Sequence, residues 1–256
     1  MWTTSRLTER DQIQAFLETD RLYAAYALGD LEPGMFEDCT WAAAERDGRI
    51  QALALHYLGL QPPPLFLMGE GEGLRAILEH ELRPSPVYVT CLPQHLPLAQ
   101  AFYAWQDPVP MWRMVLSAGR FRGMKAACER LGRRHAAELE ALYAMGGGLA
   151  FSAAQLESRS FWGLRVAGRL VSVAGTHLVS QTYDVGAIGN VSTHPDHRRR
   201  GYRTATTSAV VRDLMGRGIE GIILNVSQDN DAAVRVYERL GFRRYCLFME
   251  GPAERR

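Results

Sequence analysis

The chain states one pattern twice. Residues 40–59, TWAAAERDGRIQALALHYLG, have the layout of residues 160–180, SFWGLRVAGRLVSVAGTHLVS, with Gly48, Arg49 and Ile50 standing where Gly168, Arg169 and Leu170 stand. The echo continues. LFLM, a loop and LRAILEHEL parallel AIGNVST, a loop and the stretch from Gly201; PVYVTCLP parallels GIILNVSQ; LAQAFYAW parallels AAVRVYER, setting Ala99 against Ala233 and Tyr103 against Tyr237. A period this long suggests two full copies of one domain rather than a stacked array, the alternative being that any two α/β segments look alike when set side by side. At 256 residues there is room for two. The expected division is 1–119 and 120–256, joined near residues 120–125.

Alternation and helical spacing in the second copy predict a helix over 125–145 and strands at FWGLRV, RLVSVAGTHLVS and AIGNVST. A helix over 201–215, a strand at GIILNVS, a helix DNDAAVRVYERL stopped by Gly241 and a last strand RRYCLFME follow. The order is mixed α/β. The copies differ where the strand meets the following helix. The first has GEGEG at 69–73, which reads as a plain turn because Glu70 and Glu72 repel an anion. The second has HPDHRRRGYRT.

In that second loop Val191, Ser192 and Thr193 end a strand, Pro195 breaks it and the helix begins near Gly201. A loop entering a helix this way turns backbone N–H groups toward an anion, and the helix N-terminus adds positive partial charge. Gly201 admits a ligand close to the backbone, Arg198, Arg199 and Arg200 can screen a diphosphate, and Thr204 can add a hydroxyl. Three adjacent arginines are as readily a solvated turn. A second stretch, NDAAVRVYERLGF, places Ala233, Val236, Tyr237 and Leu240 on one helical face, with Asn230 or Asp229 as N-cap and Gly241 as terminator.

Together these stretches resemble the GNAT superfamily of acyl-CoA-dependent N-acyltransferases. In that superfamily a strand leads into R/QxxGxG/A and a later helix carries N, A, Y and then GF. The matching residues are Arg198, Gly201, Asn230, Ala233, Tyr237, Gly241 and Phe242. The run VSTHPDHRRRGY, including Tyr202, is similar to the VxTxPxxRxxGY of the glycine N-acyltransferase-like branch. Arg203 departs from the pattern, which has Gly or Ala there; its side chain either adds a phosphate contact, the reading preferred here, or crowds the seat. The resemblance implies an α+β fold of two tandem GNAT-like domains, each a mixed, mostly antiparallel sheet flanked by helices, the first a decayed copy. It also implies acetyl-CoA as cosubstrate, bound by residues 191–193, 198–204, Asn230, Ala233 and Tyr237.

Acyl transfer to an amine needs a neutral nucleophile, a stabilised oxyanion and a proton for the departing thiolate. The resemblance gives the oxyanion to a main-chain amide near Asn190 to Ser192 and the proton to Tyr237. The base is open among Asp184, Glu157, His177 and a water chain. Small Gly175 and Gly189 hint at room in the strands. His194 and His197 lack the clustered ligands of a metal site, so no metal is expected. The acceptor class is a small-molecule or peptide amine, and the protein a monomer or homodimer. A module that binds acyl-CoA without turnover is the alternative.

A formal charge of +1 supplies no global field for nucleic acid or membrane, which disfavours both partners. Cys39, Cys91, Cys128 and Cys246 form no CxxC pair, and the N-terminus has no apolar h-region, so a reducing cytoplasm is expected. One strand is missing. The family ends in two strands after the tyrosine helix, whereas each copy has room for one. The two terminal strands are expected to complete each other's sheets or to pair across the junction.

Overall fold

The computed structural model describes residues 1–146 and 151–256. The chain forms two compact units, Met1–Arg113 with Cys246–Arg256, and Met114–Tyr245. Each is mixed α/β, with a mostly antiparallel sheet and flanking helices.

The first unit runs β1 (Thr3–Leu7), α1 (Arg10–Leu17), α2 (Ala25–Gly29), β2 (Cys39–Arg46), β3 (Arg49–Tyr57), β4 (Pro64–Gly69), α3 (Gly71–His80), β5 (Val87–Cys91), α4 (Leu96–Phe102), β6 (Tyr103–Trp105) and β7 (Val109–Leu116), whose last residues pass to the second unit. The second has β8 (Cys128–Arg130), α5 (Ala136–Gly146), α6 (Gln155–Ser158), β9 (Phe161–Val166), β10 (Arg169–Ser180), β11 (Val185–Thr193), α7 (Tyr202–Gly216), β12 (Gly221–Ser227) and α8 (Asp231–Leu240). β13 (Arg243–Arg255) then starts there and ends in the first unit. Sheet order is β1-β2-β3-β4-β5-β13 in the first and β7-β12-β11-β10-β9-β8 in the second.

The repeated pattern has a physical counterpart in each copy. Both hairpins close on two residues at positive φ, Asp47 and Gly48 (55° and 71°) and Ala167 and Gly168 (49° and 79°), the primed turn that suits strand twist. A buried tyrosine then ties the early helical region to the same strand in both: Tyr23 OH donates to Leu67 O at 2.9 Å, and Tyr143 OH to Asn190 O at 2.8 Å. In the first unit α3 lies close on the sheet because its partners are small. Leu74, Ile77 and Leu78 pack over Ala42, Ala44, Ala52 and Ala54, and a Cβ on Gly73 would come 2.8 Å from Ala52 Cβ. In the second, Leu139, Leu142 and Tyr143 of α5 cover Phe161, Leu170 and Val173 on one sheet face, while Ala205 of α7 packs with Leu164 and Val171 on the other.

Four local expectations change. The helix expected over 125–145 is two elements: residues 128–130 pair with β9, and α5 starts only at Ala136, after Gly132. The GEGEG turn is mostly helix, because α3 begins at Gly71 with Glu70 at its N-cap, and Glu70 is ion-paired to Arg46 at 3.0 Å. Tyr103 does not keep the helical position of Tyr237; it is extended, begins β6 and pairs with Arg255. The last strand runs to Arg255, past residue 251, and its final residues pair antiparallel with β5, from Met249↔Cys91 to Ala253↔Val87. The missing edge is therefore filled by exchange. β13 completes the first unit's sheet, and residues 114–116 of β7 belong to the second unit, where β7 neighbours β12.

Candidate functional site

The site is built where two parallel strands part. β11 and β12 pair from Val185↔Gly221 to Ile188↔Leu224 and no further, although β11 continues to Thr193 and β12 to Ser227. The cause lies one strand away. Between Val173↔Ser192 and Gly175↔Gly189, β10 spends one residue and β11 two, so β11 bulges at Asn190 and Val191, with Asn190 at φ 51°. A bulge bends its strand and frees main-chain groups from the ladder. In the first unit β4 and β5 pair to Phe66↔Thr90, and β5 ends one residue later, at Cys91.

The bulge is held from behind. Tyr143 OH binds the Asn190 carbonyl, the Asn190 amide donates to Gln155 Oε1 at 3.3 Å, and Asn190 Oδ1 lies 3.3 Å from His177 Nε2. Burial, with the charge of Arg159 adding, pushes the His177 pKa down to about 4, so the ring is neutral near pH 7. Gly189 makes room for that ring, since a Cβ there would meet His177 Nε2 at 2.2 Å; Gly175 does the same for Phe161. The space these glycines leave is filled by side chains rather than open.

Beyond Thr193 the chain makes a tight turn over Pro195–His197, and His194 Nδ1 accepts from Asp196 N at 3.2 Å. Arg198 Nε reaches Thr193 O at 3.4 Å, Arg199 sits at φ 63° and Gly201 at φ 81°. Gly201 is required first for its backbone conformation, because a Cβ would find only Met124 Cε at 3.4 Å. The first bond of the α7 ladder is Ala205 N–H to Gly201 O at 3.0 Å, and no side chain caps the helix. The N–H groups of Tyr202, Arg203 and Thr204 are thus outside the ladder. Arg198, Arg199 and Arg200 are exposed around them.

α8 is finished differently. Asn230, not Asp229, is its N-cap, Oδ1 accepting from Ala233 N at 3.1 Å, and Gly241 ends it at φ 103°. Its buried face is Ala233, Val234, Tyr237 and Leu240. Tyr237 is 6% exposed with its ring edge-on to Phe242 at 6.1 Å, and its hydroxyl has no hydrogen-bond partner among the described residues. Burial pushes the Tyr237 pKa up while the Arg203 charge draws it down. Arg203 is half-buried and unpaired among the described residues, so it shares Tyr237's surroundings instead of pointing away from them. On β12, just past the last paired residue, Asn225 Oδ1 is buried with no partner.

The other candidates are accounted for. Asp184 Oδ1 accepts from Glu220 N at 2.7 Å and Gly221 N at 3.4 Å, a turn cap. Glu157 is paired with Arg133 on the surface. No group of three or more His, Cys, Asp or Glu among the described residues is placed to hold a metal ion, and no described helix is long and apolar enough to cross a membrane. Tyr143 and Gln155 were not singled out by sequence, since nothing local marks a residue whose partner lies dozens of positions away.

Residues 129–242 match the family described as Acetyltransferase (GNAT) family. A mycothiol acetyltransferase of Thermobispora bispora is 36% identical over 85 residues, which is 32% of this chain and 29% of that protein. The chain spans less than half the length of the curated relatives it matches here. Among solved structures, a Drosophila protein superposes with TM-score 0.70 at 14% identity, covering 97% of this chain and 98% of its own. A tandem GNAT protein from the clavulanic acid biosynthesis pathway does so with TM-score 0.55 at 14% identity, covering 98% of each. The second half of the chain is thus similar to that family over residues 129–242, and the structural likenesses show the same fold over nearly the whole length.

Proposed function

From the match of residues 129–242 to the acetyltransferase (GNAT) family, we propose an acyl-CoA-dependent N-acyltransferase that moves acetyl from acetyl-CoA to a primary amine in a ternary complex. The observation that carries this reading is the parting of β11 and β12 beside an uncapped α7. The amides of Tyr202, Arg203 and Thr204, ringed by Arg198, Arg199 and Arg200, suit a diphosphate. The opening between Val191, Ser192 and Thr193 and β12 suits an extended arm carrying amides, and the orphaned Asn225 Oδ1 is an acceptor for one of its N–H groups.

The amine nitrogen attacks the thioester carbonyl carbon, the oxyanion forms against a bulge amide, and collapse breaks the C–S bond. Tyr237 gives its proton to the departing thiolate, and the ammonium proton passes through water back to the tyrosinate, yielding amide, free thiol and the restored phenol. With a pKa raised by burial, Tyr237 is protonated at neutral pH and able to donate. His177 donates from Nε2 to Asn190 Oδ1 behind the bulge and so supports Asn190 as a positioning residue.

Tyr237→Phe tests the assignment. Turnover, read as thiol release over a panel of amines, falls about 100-fold, the usual span of a lost general acid, while acetyl-CoA affinity is kept. Equal turnover in the two proteins removes Tyr237 from the acid role. Acetyl-CoA binding without thiol release across the whole panel favours the silent acyl-CoA-binding module instead.

A further inference from the structure

Between β7 and β8 the chain runs without regular structure over residues 121–127 and crosses the end of α8 and the side of α7, all within the second unit. Bonds to its main chain hold it there. Arg122 N–H donates to Leu240 O at 2.9 Å, satisfying a carbonyl that the end of α8 leaves free. Met124 N–H donates to Ser208 Oγ at 3.0 Å, and Met124 O accepts from Arg212 Nη2 at 3.0 Å. Ser208 Oγ in turn donates to Thr204 O at 2.7 Å, which ties the segment to the first turn of α7. Met124 Cε completes the approach, lying 3.4 Å from where a Cβ on Gly201 would be.

The charged side chains of this segment take no part in that attachment. Arg122 and Lys125 flank Met124, and both are exposed with no ion-pair partner among the described residues, as is Arg120 just before them. Carboxylates at the two ends of α8 are engaged elsewhere: Glu238 pairs with Arg244 at 3.1 Å, and Asp231 faces Arg235 at 3.9 Å. Asp196, the acid of the α7 loop, lies 3.8 Å from His194 Nδ1. Next to Gly201 in the chain stand Arg198, Arg199 and Arg200, also exposed. Positive charge from two separate segments thus gathers about one helix start, and the backbone that carries the second set is pinned in place. A merely solvated linker needs no such pinning.

We propose that Arg122 and Lys125 hold the ribose 3′-phosphate of acetyl-CoA. This rests on the reading that gives the diphosphate of the same molecule to the free amides of residues 202–204. Acetyl-CoA carries both anionic groups on one ribose, so a seat for the diphosphate has the 3′-phosphate as its neighbour and calls for a second set of cations close by. The segment 122–125 supplies them. A phosphate monoester bears about −1.5 to −2 charge at pH 7 and offers three acceptor oxygens. Arg122 brings paired N–H groups to such a group and Lys125 a mobile point charge, and charge-assisted bonds of this kind are the strong ones.

Calorimetry on the full chain with acetyl-CoA and 3′-dephospho-acetyl-CoA reads the contribution of that phosphate directly. The wild-type protein binds acetyl-CoA at least tenfold more tightly. Joint replacement Arg122→Gln and Lys125→Gln cuts the preference to less than threefold and leaves 3′-dephospho-acetyl-CoA affinity as it was, which also reports an intact diphosphate seat. Joint replacement Arg130→Gln and Arg169→Gln removes the same charge at exposed positions on β8 and β10 and keeps the full preference, which separates a local seat from the general field of the unit. Three results overturn the proposal and leave the acetyl-CoA reading standing: no preference in the wild-type protein, a preference that survives replacement at 122 and 125, or one lost equally by replacement at 130 and 169. Binding of neither ligand overturns both.

Discussion

Gly201 and Gly241 are both left-handed, at φ 81° and 103°, and both begin or end a helix of the same unit. Their surroundings separate them. A Cβ on Gly201 meets nothing nearer than the flexible end of Met124 at 3.4 Å, so Gly201→Ala costs only the conformational term, about 1–2 kcal/mol. A Cβ on Gly241 would sit 2.0 Å from the backbone oxygen of Arg120 and 2.7 Å from its carbon, which no side chain rotation relieves. Moving backbone adds about 1–3 kcal/mol on top of the same conformational term, for a total of about 2–5 kcal/mol. Urea unfolding of both variants measures the gap, and Gly201→Asn recovers part of the smaller loss because Asn tolerates this region. Binding separates them in the opposite sense. Rotating φ at 201 turns the amides of residues 202–204, so acetyl-CoA affinity falls about tenfold, or about 1.4 kcal/mol, in Gly201→Ala and stays near wild type in Gly241→Ala. Equal losses of stability, or an undisturbed affinity in Gly201→Ala, refute the division of roles.

Arg203→Ala removes the charge that draws the Tyr237 pKa down, so the phenol titrates at higher pH in ultraviolet difference spectra, and acetyl-CoA binds more weakly; tighter binding shows that Arg203 crowds the seat. His177 is depressed to about 4, below its ordinary value near 6.5, so the unfolded chain binds more protons between these limits. Its contribution is complete above pH 6.5 and is lost as pH falls toward 4, by about 1–3 kcal/mol after allowance for partial exposure. His177→Gln flattens the urea midpoint over that window, and an unaltered slope excludes His177 as its source. Asn230→Ala uncaps Ala233 N and lowers thermal stability by about 1 kcal/mol, and Asn230→Asp restores it.

What the sequence made legible is what depends on local chemistry. The caps of α8, the glycine at its end, the helix beginning near residue 201 and the paired hairpin turns all follow from residues within a few positions of each other. Long-range geometry was hidden. Residues 125–130 read as helix by spacing, yet 128–130 are recruited by β9, whose partner register no local pattern encodes. Tyr103 matches Tyr237 by alignment, but the first copy's α4 stops at Phe102 and the ring is drawn into a strand beside Arg255. The opening near Asn190 to Ser192 is expected only from the resemblance; the bulge that makes it arises from one extra residue counted against β10, and its supports, Tyr143 and Gln155, lie far back in the chain.

The near-zero total charge also concealed a division that only the compact units expose. Met114–Tyr245 holds 19 Arg and Lys against 11 Asp and Glu, whereas Met1–Arg113 with Cys246–Arg256 holds 10 against 17. A sum of +1 is therefore two opposed surpluses, and the inference that no extended field exists fails at the level of the unit. Screening over about 8 Å at physiological salt lets each surface act on what approaches it. The basic surplus falls on the unit that holds the uncapped α7, and exposed Arg198, Arg199, Arg200, Arg235, Arg239, Arg243 and Arg244 all belong to it. The proposed seat for an anionic cosubstrate therefore lies on the unit of positive surplus, whose exposed arginines extend past the three of the loop, while in the first unit Glu70 is paired to Arg46 at the start of α3. The two units thus carry opposite net charge, and the loop sequence is the local end of a difference that runs through each whole unit.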